Sequence, residues 1–121
     1  AASDVYKRQQ LYRVINNIIS NSIKYNNKAR GVINIRVREE KEYIHLEIED
    51  NGQGVSPEEA GRIFERFYRT DASRNSRTGG SGIGLSIVKK IVEAHGGTIW
   101  AVSNKNVGLT MHILLRKEAH A

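Results

Sequence analysis

The sequence holds no cysteine, one proline, one tryptophan and only 7% aromatic residues. Without thiols, a disulfide framework, a thiolate metal site and a cysteine nucleophile are all excluded. No apolar run approaches the roughly 18–20 residues of a membrane span, and no signal-peptide pattern opens the chain. We therefore expect a cytoplasmic module that makes no membrane contact itself, any attachment of a parent protein lying elsewhere. The scarcity of aromatics leaves no ladder for stacking bases, and no recognition-helix or zinc-finger pattern is present. The net charge of +6, from 19 Lys and Arg against 13 Asp and Glu, would otherwise suggest nucleic acid. Yet the cations are scattered, and the densest stretch (Arg62, Arg66, Arg69, Arg74, Arg77) is interleaved with Glu65 and Asp71. A solvated face with a few phosphate contacts is the better reading, and no nucleic-acid partner is expected.

At 121 residues and 39% hydrophobic content the chain suits one soluble domain with a single core. Residues 1–9 match poorly with the rest of the chain and read as a possible scar or junction. The domain proper is placed at 10–117, and 118–121 is a tail. From Gln10 to about Asn26, Leu11, Val14, Ile15, Ile18, Ile19 and Ile23 recur with helical period. Ile33, Ile35 and Val37 alternate with polar residues, as do Ile44, Leu46 and Ile48, so a hairpin is expected through Glu39–Glu42. Arg36 and Arg38 on one strand would face Glu47 and Glu49 on the other. Ser56-Pro57-Glu58-Glu59 combines a serine N-cap, a proline at the first helical position and a capping glutamate; that helix is expected to reach about Arg69. Residues 70–81 are polar and glycine-bearing, an expected mobile loop. A helix from about Gly84 to His95 is closed by Gly96-Gly97, and strands near Thr98–Ser103 and Leu109–Leu115 end the domain.

Chemistry concentrates in four segments: Asn17-x-x-x-Asn21-x-x-Lys24-Tyr25, Asp50-Asn51-Gly52-Gln53-Gly54, Ile63-Phe64-Glu65-Arg66-Phe67-Tyr68-Arg69, and Gly80-Ser81-Gly82-Ile83-Gly84-Leu85. At 100° per residue, Asn17, Asn21 and Lys24 fall within roughly 60° of one another, a polar seam beside the apolar stripe. A carboxamide oxygen is a neutral ligand suited to Mg2+, and Lys24 offers a point charge to phosphate. Two asparagines alone would equally be an interrupted amphipathic face. Asp50 at a strand end is either part of an ordinary Asp-Asn-Gly turn or an acceptor for an adenine amine, with Gly52 and Gly54 admitting the ring. The glycine segment opens a helix, where backbone N–H groups can meet phosphate oxygens. Leu85 stands where the Rossmann pattern needs its third glycine and where the P-loop needs lysine, so neither familiar fold applies.

In this order the four segments resemble the N, G1, F and G2 boxes of the ATP-binding catalytic domain of bacterial sensor histidine kinases. That domain belongs to a superfamily shared with gyrase, heat-shock chaperones and mismatch-repair ATPases. The resemblance covers Leu11 to Leu115 and includes Arg69, Asp71, Ser73 and Arg74. It implies an α/β two-layer sandwich, a mixed β-sheet packed against three helices (the Bergerat type). It implies ATP and Mg2+ as cofactors. Asn21 would hold the metal with Asn17 in support, and Lys24 and Arg69 would reach the triphosphate. Tyr25 would lie against the nucleotide, and Asp50 would bind adenine beside Gly52 and Gly54. Gly80, Gly82, Gly84 and Leu85 would meet the phosphates under a lid of residues 70–81. Phe64 and Phe67 would anchor the base of the lid by packing.

The superfamily's water-using members carry a glutamate base four residues before the metal-binding asparagine; here that place is Asn17. An amide takes no proton near neutral pH, so the kinase branch fits better. The implied partners are a histidine-bearing dimerisation domain and, downstream, a response regulator. His45, His95 and His112 lack the acidic residue that follows the family's phosphoacceptor, and His120 lies in the tail, so the target histidine is expected on another domain. Two other readings are a non-catalytic nucleotide-sensing module and a water-using ATPase.

Overall fold

A computed structural model of the chain describes residues 2–65, 83–104 and 108–117, apart from the side chains of 2–7 and of Ile83. Among the described residues, helices α1 (Ala2–Lys24), α2 (Pro57–Ala60) and α3 (Ile83–Ala94) lie on one face of a sheet. Its strands are β1 (Ile33–Glu39), β2 (Tyr43–Asp50), β3 (Thr98–Asn104) and β4 (Gly108–Arg116), in the order β1-β2-β4-β3. The two-layer sandwich is as expected, but the sheet is antiparallel throughout the described strands rather than mixed. Two hairpins, β1-β2 and β3-β4, are antiparallel by construction, and they join through an antiparallel β2-β4 pair. Residues 2–9 are helical and form the first part of α1. Among the described residues no helix is long and apolar enough to cross a membrane.

Strand alternation sorts the chemistry onto two faces. On the helix side the cross-strand rows are Ile35–Ile48–Met111–Ala101 and Val37–Leu46–Ile113–Ile99. Val14 and Ile18 of α1 and Val88 and Val92 of α3 close over them, all at or below 1% exposure. The apolar residues of β1 do not share this core: Ile35 and Val37 are 51% and 64% exposed. The helices cover β2, β4 and β3 and stop short of this edge strand. Ile23, counted with the apolar stripe of α1, is also exposed.

On the outer face, Arg36–Glu47–His112–Trp100 and Arg38–His45–Leu114–Thr98 form the rows. The expected charge pairing is present: Arg36 Nε donates to Glu47 Oε2 at 2.9 Å and Arg36 Nη1 to Glu49 Oε1 at 3.3 Å. Arg38 also donates to Glu47 Oε1.

The capping box of α2 is formed, with Glu59 N–H donating to Ser56 Oγ at 3.1 Å and Ser56 N–H to Glu59 Oε1 at 3.4 Å. The helix is shorter than expected. Gly61 closes it, and the chain continues in three-residue turns, with Arg62 N–H donating to Glu59 O and Glu65 N–H to Arg62 O. Glycine is a weak helix former and favours this change to tighter i→i+3 bonding. Residues 66–69 lie outside the described residues. At the end of α3, Gly96 takes φ +71°, and Gly97 N–H donates to Val92 O at 2.9 Å, as a Schellman closure requires.

Truncation should separate core from edge. Ile18→Ala should cost about 2–5 kcal/mol in urea unfolding. Val37→Thr should stay within about 0.5 kcal/mol of the parent, as expected of an exposed position.

Candidate nucleotide-binding site

The end of α1 and the end of β2 meet through the loop that follows each. Asn51 is the tie: its Oδ1 accepts from Asn26 Nδ2 and from Val32 N–H, both at 2.9 Å, and its Nδ2 donates to Arg30 O at 2.9 Å. This closes residues 26–32 against the Asp50-Asn51-Gly52 turn. Neither Asn26 nor Asn51 is assigned a role from sequence, although Asn51 sits inside one of the four segments. An asparagine flanked by chemistry looks like a turn residue until its amide is seen satisfied on both sides.

Asp50 ends β2 on the helix side of the sheet, opposite Ile33. Its Oδ1 accepts from Gly52 N–H at 2.9 Å, an Asx-type turn that fixes the carboxylate. Gly52 is buried and packed so closely that a Cβ would lie 3.1 Å from Asp50 Oδ1 and 3.3 Å from the Tyr25 carbonyl oxygen. The turn reading of this segment is seen directly, and the turn fixes the Asp50 carboxylate on the helix side of the sheet. Tyr25, Asp50 and Gly52 are thus brought together. Lys24 Nζ lies over the Tyr25 ring, 5.5 Å from its centroid.

Gly108 is the residue that sequence reasoning placed only in a connecting loop. It adopts φ +110°, and a Cβ there would overlap the Asp50 carbonyl oxygen. Gly54, at φ +68°, would likewise bring a Cβ within 2.9 Å of the Gly108 carbonyl oxygen. Gly108 can pass Asp50, and Gly54 can pass Gly108, only because both lack side chains. The available signal was a glycine opening a strand after a polar run.

Asn17 and Asn21 are half-buried, one turn apart on α1, and Lys24 follows on its exposed end. Gly84 and Leu85 occupy the first turn of α3, where backbone N–H groups lack intrahelical acceptors. The Leu85 side chain packs on the core, so only its main chain is free for a ligand. Phe64 also packs against the core. Arg69, Gly80, Gly82, Phe67, Asp71, Ser73, Arg74 and the expected lid 70–81 lie outside the described residues.

The donor set matches its implied ligands in chemical type. Two neutral carboxamide oxygens suit Mg2+, which favours a few protein ligands together with phosphate oxygens. A fixed carboxylate suits an exocyclic amine, and helix N–H groups suit phosphate.

Two alanine substitutions should part ways. Gly108→Ala should destabilise strongly, because strain at positive φ adds to overlap with Asp50. At Gly84, where a Cβ meets nothing within 4 Å, alanine should be neutral or stabilise by about 0.5–1 kcal/mol in the same unfolding assay.

Residues 6–119 match the family described as histidine kinase-, DNA gyrase B-, and HSP90-like ATPase. The chain is 39% identical over 109 residues to sensor histidine kinase WalK of Bacillus subtilis, which covers 89% of this chain and 18% of that protein. It is 39% identical over 111 residues to histidine protein kinase SaeS of Staphylococcus aureus, covering 91% of this chain and 32% of that protein. It therefore spans only about a fifth to a third of the length of these relatives. Among solved structures, a mycobacterial sensor histidine kinase, MprB, superposes with TM-score 0.78 at 32% identity, over 89% of this chain and 72% of that one. The nucleotide-free catalytic domain of histidine kinase ThkA gives TM-score 0.75 at 27% identity, over 91% and 69%. The chain belongs to the family of histidine kinase-, DNA gyrase B- and HSP90-like ATPases, as the ATP-binding catalytic part of a sensor histidine kinase.

Proposed function

We propose that this domain binds Mg·ATP and presents its γ-phosphate to a histidine on a separate dimerisation domain, from which a response regulator is then served. The observation that carries the reading is the fixed Asp50 carboxylate, set beside Tyr25 at the end of a helix whose seam offers Asn17, Asn21 and Lys24. Asn21 is the proposed metal ligand, with Asn17 in support. Bound Mg2+ would neutralise charge on the phosphates, Lys24 and Arg69 would hold the chain of phosphates, and Asp50 would select adenine. Gly54 would let the loop flex beyond the ring, and Gly80, Gly82 and Gly84 would admit the phosphates. Catalysis by this domain is then positioning and charge neutralisation.

Asn17 supports transfer to histidine rather than to water. A carboxamide cannot deprotonate water, whereas a neutral imidazole nitrogen attacks without losing a proton first. The chain alone should bind ATP yet show no acid-labile self-labelling; adding a cognate histidine-bearing domain in trans should restore labelling. Asn21→Ala should abolish transfer and leave the unfolding midpoint near that of the parent. Asp50→Asn should weaken ATP binding by about 1–3 kcal/mol and narrow the preference over GTP, measured by calorimetry. Equal binding of GTP and ATP by the parent would remove the role given to Asp50.

A further inference from the structure

On the face of the sheet turned away from the helices, His45, Glu47 and His112 bring three potential ligand atoms together. His45 Nε2 lies 3.0 Å from His112 Nδ1 and 3.8 Å from Glu47 Oε1, and His112 Nδ1 lies 3.9 Å from the same oxygen. The point equidistant from the three atoms is about 2.1 Å from each, the bond length zinc makes to imidazole nitrogen and carboxylate oxygen. All three side chains are largely sheltered, with 12%, 11% and 17% exposure for His45, Glu47 and His112. From this geometry we infer that the outer face of the sheet carries a binding site for a borderline divalent transition metal such as Zn2+, held by His45, Glu47 and His112.

Each surrounding group has a place in such a site. Two imidazoles and one carboxylate are a known three-ligand zinc set. The equidistant point lies in the plane of the three atoms, so a tetrahedral centre with water in the fourth position requires Glu47 Oε1 to draw closer to the two rings. The two imidazole nitrogens, borderline donors, favour Zn2+, Ni2+ or Cu2+ over Mg2+. Burial holds His112 below its ordinary pKa, with Glu47 opposing, so the ring is neutral and able to ligate near neutral pH. Glu47 keeps Oε2 on Arg36 while Oε1 turns to the metal. Through that hydrogen bond Arg36 holds the Glu47 carboxyl below the usual range, so it is ionised. His45 Nδ1 lies 3.9 Å from Glu40 Oε1, so a small approach of Glu40 would let that carboxylate accept a hydrogen bond from Nδ1–H when Nε2 holds the metal. Arg38 is the competitor. It donates to Glu47 Oε1 and lies 3.4 Å from His45 Nδ1, so a metal must displace it; at 63% exposure it can move away.

Position separates this cluster from the nucleotide site. Asp50 lies in a helix-side position of β2, and His45 and Glu47 lie on the other face of the same strand. Metal here should leave Mg·ATP binding unchanged.

Trp100, the chain's one tryptophan, is a built-in reporter: its ring stacks on His112 at 5.0 Å between centroids and 4° between planes. Titrating the full chain with Ni2+ should quench Trp100 emission saturably, with one equivalent bound at on the order of micromolar concentration, and Zn2+ should compete. His45→Asn with His112→Asn should weaken binding by more than about tenfold while Mg·ATP affinity is retained; His112→Gln alone serves if the double variant does not fold. Arg38→Ala should tighten binding, whereas a purely structural network would only lose stability. Zn2+ should also raise the unfolding midpoint of the parent and not of the histidine variant. Quenching that fails to saturate, that survives loss of both histidines, or that weakens or stays unchanged in Arg38→Ala would overturn the proposal.

Discussion

The pairing of β2 with β4 decides which side of the sheet each chemical group reaches. Side chains alternate along a strand, so a slip of one residue would exchange the faces completely. In the observed register Ile48 meets Met111 and Leu46 meets Ile113, which delivers four apolar side chains to the helices. The same register sets Glu47 beside His112 on the outer face. It also ends β2 with Asp50 on the helix side, against Gly108 where β4 begins. The core, the candidate adenine acceptor and the outer histidine cluster are therefore one decision, enforced mainly by burial of the inner rows.

Gly108 shows how narrowly that decision is held. Its main chain passes the Asp50 carbonyl so closely that any side chain would collide. Gly54 then passes Gly108 on the far side. A loop near the middle of the sequence and a strand start near its end thus share a space that only glycine permits. The local cost of glycine's backbone freedom is offset where Asn51 ties the same region down through three hydrogen bonds to Asn26, Arg30 and Val32.

Local signals in the sequence were enough for most of the elements. The strands follow from strict alternation, α3 from its apolar period and terminal glycines, and the start of α2 from a three-part cap. What was not legible depended on tertiary partners. Alternation in β1 marks Ile35 and Val37 as apolar, but nothing local says that the helices stop short of them. Ser56 and Glu59 announce where α2 begins; Gly61 ended it sooner than the apolar residues beyond suggested. Of the candidate site, the four segments single out Asn17, Asn21, Lys24, Asp50 and Gly52, whereas Asn51 and Gly108 act through residues distant in sequence. The meeting of His45 with His112 needs the β2-β4 register, which joins residues 67 positions apart.

The nucleotide-facing chemistry gains its meaning from a group the seam does not contain. A half-buried carboxylate at position 17 would accept a proton and could activate water beside a bound phosphate. A half-buried carboxamide at Asn17 can only donate and accept hydrogen bonds with its charge unchanged. Under the proposed function, that neutrality protects the γ-phosphate from solvent attack until a nucleophile arrives carrying its own lone pair. Imidazole meets that condition at neutral pH, because its unprotonated nitrogen needs no base. A serine, threonine or water would need a proton acceptor that this seam lacks. Selectivity for histidine would then follow from what the acceptor must bring, with Lys24 and the metal supplying only charge and position.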